Sequence, residues 1–288
     1  MIDYKLLEAL ATVIETGGFE RAGAVLGLSQ SAVSQRIRTL EIRAGQPVLL
    51  RSPVPRATPA GQQLLNHVQR VQLLERDLAK SLPTLSEPAA RLRIAINADS
   101  LATWWAEAVG RFCNDESLLL DMVVEDQDIA LRRMREGDVA ACLCSNPQPV
   151  AGARCVLLGA MTYLPLATPS YKARYFSQGF NEQSLQSAPV IVFGPNDQLQ
   201  HRFLARNGYH GVFPYHLCPS SEGFVKLALA GMGYGMIPEV QARREIEAGQ
   251  LVSIAPGQSL KVELYWHFWR NSGTTMERLT AALKAAHP

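Results

Sequence analysis

Residues 28–41 read LSQSAVSQRIRTLE. At 3.6 residues per turn, Val33, Ile37 and Leu40 share one face of a helix, while Ser31, Ser34, Gln35 and Arg38 share another. Ser29 is a good N-cap, because its side-chain oxygen can accept from a free amide of the first turn. The helix is expected to run from there to about Arg43, before Ala44-Gly45. The aliphatic face needs a partner, and the preceding residues supply one. DYKLLEALATVIET (3–16) puts Leu6, Leu7, Leu10, Val13 and Ile14 on a helical stripe that ends at Gly17-Gly18. Residues 19–26 form a second short helix, and Gly27 permits a sharp turn into the third. Leu10, Ala22 and Leu26 are the expected seat for the apolar face, which leaves the Ser/Gln/Arg face outward. Three short helices around one tight glycine turn are compatible with a helix-turn-helix.

The outward face suits the major groove of DNA. Arginine can bond guanine, glutamine can bond adenine, and serine tolerates several partners. Ser31, Ser34, Gln35 and Arg38 are the candidate groove residues; Ser29 and Gln30 are candidate DNA contacts at the helix start, where amides can meet phosphate. Local charge agrees: from Arg21 to Arg56 there are six arginines and a single acid, Glu41, in a chain whose net charge is only +2. In QPVLLRSPVPRATP (46–59) the helical period is lost; an apolar trio and four prolines read as a small β-ribbon, or wing. Arg36, and Arg51 and Arg56 on that wing, are candidate phosphate contacts.

Thr58-Pro59 starts a helix expected over 58–82, with threonine as cap and proline in the first turn. Leu64, Val68, Val71, Leu78 and Leu82 recur at four–three spacing interrupted by Glu75, a short heptad seam expected to pair two copies of the chain. Residues 82–90, with two prolines, read as a linker. Beyond it strands and helices alternate. Strands are expected at 92–97, 118–125, 139–145, 155–167, 190–193, 213–218, 233–237 and 261–268, and helices at 100–114, 129–136, 197–206, 222–230, 239–248 and 275–286. That order implies a largely parallel sheet with helices on both faces.

Other chemistries leave no trace. There is no GxSxG, HExxH, Walker or Cys-His-Asn arrangement, so no catalytic residue is assigned. The six histidines (67, 201, 210, 216, 267, 287) lack metal-ligand spacing, and the five cysteines lack CxxC spacing. No metal and no cofactor is expected, and the cysteines read as reduced thiols of a soluble cytoplasmic protein. The N-terminus lacks a signal-peptide pattern and no apolar run reaches membrane-spanning length. Trp104-Trp105, His267 and the pair Trp266 and Trp269 read as packing. GMGYGMIP (231–238) is a tight turn into a strand, not a phosphate loop.

GFERAGAVLGLSQSAVSQRIRTLE (18–41), GQPVLLR (45–51) and TPAGQQLL (58–65) together resemble the winged helix-turn-helix of LysR-type transcriptional regulators. INADSLATWW (96–105) and SSEGFVKLA (220–228) are similar to the ArgP/LysG-type branch, the regulators of basic amino-acid export. The resemblance implies three segments: a DNA-binding domain at 1–60, a linker or dimerisation helix and hinge at 58–90, and an effector-binding domain at 91–288. The last would comprise two Rossmann-like halves, as in periplasmic binding proteins, with 91–162 plus 267–288 in the first and 163–266 in the second. It also implies a homodimer or dimer of dimers on a dyad-symmetric DNA site, with RNA polymerase a further candidate partner.

In such a sheet a ligand binds beyond the carboxyl ends of the strands. Asp99 and Ser100, Glu125 and Asp126, and Ser221 and Glu222 stand at those expected ends. The serine hydroxyls and nearby amides could hold an amino-acid carboxylate, and the four acids could meet its cations. A basic amino acid such as lysine or arginine is the expected effector. The alternatives are a different small effector, or a DNA-organising protein without effector control.

Overall fold

A computed structural model describes residues 3–51, 54–82, 91–125 and 127–286. The N-terminal unit is built from α1 (Tyr4–Thr16), α2 (Phe19–Leu26) and α3 (Gln30–Ala44), followed by the two-stranded wing of β1 (Leu49–Leu50) and β2 (Arg56–Ala57). Gly27, at φ 64°, makes the turn between α2 and α3, a left-handed conformation that costs glycine little. Ser29 caps α3 by accepting from Ala32 N (3.2 Å). Val33, Ile37 and Leu40 are buried against Leu7, Leu10, Val13 and Ala22. Burying each such side chain contributes roughly 1.5–3 kcal/mol, which is what fixes the rotation of α3 about its axis.

The linker helix α4 (Pro59–Ser81) is capped by Thr58, which accepts from Gly61 N at 3.1 Å. It faces two ways. Leu65 is buried in the core of the winged unit, with Leu64 and Val68 packed against it, whereas Leu73 is buried in the core of the C-terminal unit. The first part of the expected seam also packs within the chain. Leu64 and Val68 cover the winged unit of their own chain, because that small unit lacks a fourth wall without them. Val71 is half-buried, and Leu78 and Leu82 are exposed.

The C-terminal unit follows in the order β3 (Arg91–Ile96), α5 (Ala98–Ser100), a π-helical segment (Leu101–Trp105), α6 (Ala106–Asp115), β4 (Leu119–Val124), α7 (Gln127–Glu136) and β5 (Ala141–Cys144). A long strand β6 (Ala153–Ala167) crosses to α8 (Pro169–Tyr175), α9 (Glu182–Ser187), β7 (Val190–Val192), α10 (Leu199–Arg206), β8 (Tyr215–Leu217), α11 (Ser221–Leu229), β9 (Tyr234–Pro238), α12 (Arg243–Glu247) and β10 (Val252–Ser253). The second crossing strand, β11 (Leu260–Trp269), returns to α13 (Gly273–Ala285). Hydrogen bonding runs in the order β4-β3-β5-β11-β6-β9-β7-β8, with β10 beside β6. Each half contributes three parallel strands, and β6 and β11, antiparallel to each other, stitch the halves together. The divisions expected at 162/163 and 266/267 fall inside these crossing strands.

Packing residues behave as their types dictate. Trp105 is fully buried against Trp266, their rings 5.8 Å apart, and Trp104 is buried beside them. His267 is buried, and its Nε2–H donates to the Asn146 carbonyl (2.8 Å). All five cysteines are free thiols. Among the described residues no helix is long and apolar enough to cross a membrane.

Candidate functional site

Two surfaces collect the candidate residues. On the first, Ser29, Gln30, Ser31, Gln35 and Arg38 are exposed along α3 and Ser34 is half-exposed, opposite the buried aliphatic row. Ser29 and Ser31 share a hydroxyl–hydroxyl contact of 2.9 Å at the helix start. The other arginines differ in freedom. Arg56 is exposed on the wing. Arg51 lies 3.3 Å from Glu41 and over the Phe19 ring (5.4 Å), which fixes its stem beside the groove face. Arg36 turns back to the Lys5 carbonyl (3.5 Å).

The second surface is a cleft of about 880 Å³ between the two halves. It opens beyond the carboxyl ends of β3, β4 and β5 on one side and of β7 and β9 on the other, with Tyr163 of β6 on its wall. Asn97 lies in its lining, only 4% exposed, and neither atom of its side-chain amide is hydrogen-bonded. Asp99 is partly covered as a residue, but its carboxylate sits deep. It accepts from Ser221 Oγ (2.6 Å) across the cleft and from Tyr163 Oη (2.8 Å). Burial raises the Asp99 carboxyl above its ordinary range; the two hydrogen bonds pull it down, and the Asp197 charge pushes it up again. Tyr163 is held well above the usual phenol range, first by burial and then by the Asp99 charge, so it remains a donor.

Asp197 faces the same space from the β7–α10 loop. Its oxygens accept from the backbone amides of Phe193 (3.1 Å) and Leu199 (2.8 Å). Among the described residues no cation pairs with Asp99 or Asp197. Glu125 also lines the cleft, but Arg133 neutralises it (Nε to Oε1 2.6 Å) while also pairing with Asp138. Gln241 closes the far wall, bonded to the Ser221 hydroxyl and carbonyl (3.1 and 3.0 Å). Arg132 and Arg202 line it too.

Asp99, Glu125 and Ser221 are thus brought together as expected, and two neighbours are not. Ser100 is fully buried with its hydroxyl on Met161 Sδ (3.7 Å), because the helix begins at Ala98 and its third residue rotates into the core. Glu222 is exposed and pairs with Lys226 (4.0 Å); Ser220 is the cap of α11, which turns the second helical residue outward. Asp126 lies outside the described residues. Tyr163, Asp197 and Gln241 were not foreseen. Of these only Asp197 carried a local signal, the Pro-Asn-Asp turn ahead of a helix.

The family model for bacterial regulatory helix-turn-helix proteins of the LysR family matches residues 4–62, and that for the LysR substrate binding domain matches residues 85–287. The chain belongs to the LysR family. It is a LysR-type transcriptional regulator, a class that binds DNA through the helix-turn-helix described above. It is 58% identical over 287 residues to the HTH-type transcriptional regulator ArgP of Pseudomonas aeruginosa, covering 99% of this chain and 96% of that one. Among solved structures it is similar to ArgP from Mycobacterium tuberculosis, with 36% identity and a TM-score of 0.86 over 99% of this chain and 97% of that one. It is also similar to full-length LysG from Corynebacterium glutamicum with bound effector Arg, with 34% identity and a TM-score of 0.72 over 99% and 98%. Within the LysR fold, the α3 face and the interlobe cleft are where the candidate residues gather.

Proposed function

We propose that this regulator senses a basic amino acid, arginine or lysine, in the interlobe cleft and so adjusts its grip on promoter DNA, controlling genes of amino-acid export or metabolism. One observation carries the reading: the cleft holds two carboxylates, Asp99 and Asp197, without a cationic partner among the described residues. A ligand bearing two cationic groups and one carboxylate answers that arrangement. Its cations meet Asp99 and Asp197, its carboxylate meets Arg202, and the unpartnered Asn97 amide bonds either end. The arginine named with the LysG relative supports the same ligand class.

Gln30, Ser31, Ser34, Gln35 and Arg38 are proposed to read bases, and Ser29, Arg36, Arg51 and Arg56 to hold phosphates. The protein is taken to work in the cytoplasm as a homodimer or dimer of dimers, with Leu78 and Leu82 on the contact between copies. Ligand closure of the two halves shifts a population between two oligomer geometries, and with it the bend or spacing of the bound DNA. Titration calorimetry with arginine, lysine and citrulline, the neutral isostere of arginine, tests the effector. Binding of the two cations and not of citrulline is expected; equal responses, or none, would remove the proposal.

A further inference from the structure

The helix that begins in the cleft ends against the linker helix. Ala98–Ser100, the π-helical segment Leu101–Trp105 and Ala106–Asp115 form one rod, about 27 Å long at 1.5 Å per residue. Its first turn carries Asp99, inside the cleft. Glu116 caps its other end, 5% exposed, with its carboxylate met by Lys80 (2.5 Å) and Arg76 (4.0 Å) of α4 and by Arg278 of α13.

Three further features mark this joint. Arg76 also donates to the Ser117 carbonyl (3.3 Å), and Ser117 is the one non-glycine residue with positive φ (47°) among those described. Backbone held in that sparsely populated region persists where surroundings over-determine it, and it clusters at switch points. Next to Arg76 on α4, Asp77 caps α13, accepting from Thr275 N (3.2 Å) and Thr275 Oγ1 (2.6 Å). The π-helical segment sits between the two ends of the rod, and such segments are wound differently from the α-helix and recur at functional sites.

We propose that Glu116 is a positioning residue that couples effector occupancy at Asp99 to the linker helix, and so to the winged unit, through the Ala98–Asp115 rod. This rests on the reading of the cleft as an effector site. A carboxylate this buried holds its cations tightly, since leaving it unpaired in the interior is costly. A movement of the rod is therefore passed to α4 and not lost at a slack contact. Leu65, with Leu64 and Val68, then carries it into the core of the DNA-reading unit.

The test uses the full chain, arginine, and a duplex selected by the protein from a random pool. Glu116→Gln and Lys80→Gln are expected to bind arginine and the duplex as the parent does, yet to lose the change in footprint that arginine produces. Arg278→Gln, which removes a cation belonging to the effector domain and not to the linker, is expected to keep that change. Lys80→Gln alters a partly exposed side chain, so it carries the test if Glu116→Gln fails to fold. An arginine-dependent footprint change in Lys80→Gln equal to that of the parent would overturn the proposal. So would a parent that binds arginine without any such change, whereas a parent that does not bind arginine removes the effector reading itself and the coupling with it.

Discussion

At the scale of single residues, the two surfaces use charge in opposite ways. Arg38 is exposed on α3 and free to reach a base edge, so Arg38→Ala is expected to cost about 1–3 kcal/mol of DNA affinity and to relax preference at one base position. Binding measured across a panel of single-base variants checks this; a uniform loss over the panel would make Arg38 a phosphate contact instead. Asp99 is the reverse case, an acid kept deep without a cation. Its folded pKa lies above the ordinary 3.8, chiefly through burial, so the folded protein binds this proton more tightly than the unfolded chain does. Its contribution to stability is therefore most favourable at low pH and is lost as pH rises through the raised value. Asp99→Asn should raise the melting temperature of the free protein near neutral pH, with the gain shrinking as pH falls toward the ordinary carboxylate range, while abolishing arginine binding. Melting curves for parent and variant across that range decide it, and a pH-independent difference would contradict the assignment. Asp99 was legible because it follows a strand and opens a helix. Tyr163 and Gln241 were not, since one sits mid-strand and the other between elements, and only the crossing of β6 beneath both halves brings them to the cleft.

At the scale of elements, most of the chain could be read because caps and hydrophobic period agree. The helices of the winged unit and strands such as 190–192 come within a residue or two of the expected limits. Two helices were overlooked although their start signals are present: Thr168-Pro169 repeats the cap-and-proline pattern of Thr58-Pro59, and Asn181 with Ser184 forms a capping box. Both helices are short, at seven and six residues, so neither develops a period. The linker helix shows the converse. Its heptad spacing is real, but spacing alone does not say what covers the stripe, and the winged unit covers the first part. Gly61 makes that contact close. A Cβ there would stand 1.9 Å from the Val48 carbonyl oxygen, backbone against backbone. An exposed helical Gly→Ala change stabilises by about 1 kcal/mol, but here overpacking of about 1–3 kcal/mol opposes it. Gly61→Ala should therefore lower the stability of the winged unit in urea unfolding, and a neutral or stabilised variant would show that α4 is not seated against the wing.

At the scale of the whole molecule, the chain holds two cores bridged by one helix. The core of the winged unit ends with Leu65, and that of the effector domain takes Leu73 from the next turns of α4. Between the two halves of the effector domain, β6 and β11 are paired from Ala153–Trp269 to Tyr163–Leu260, with a register shift between Leu264 and Tyr265. Closure must therefore flex a continuous sheet and not a loop, which keeps the effector domain one cooperative body. A ligand held between the halves stabilises that body as a unit. At a hundredfold excess over Kd the gain is about 2.7 kcal/mol. For a domain of about 200 residues that corresponds to about 5–10 °C in melting temperature. The winged unit has its own core and, among the described residues, lends none to the cleft lining, so its transition should stay in place. Scanning calorimetry with and without arginine is expected to show two transitions with only one moved by the ligand. If both moved together, the cores would be a single folding unit, and the linker helix would be structural cement instead of the element through which the effector acts.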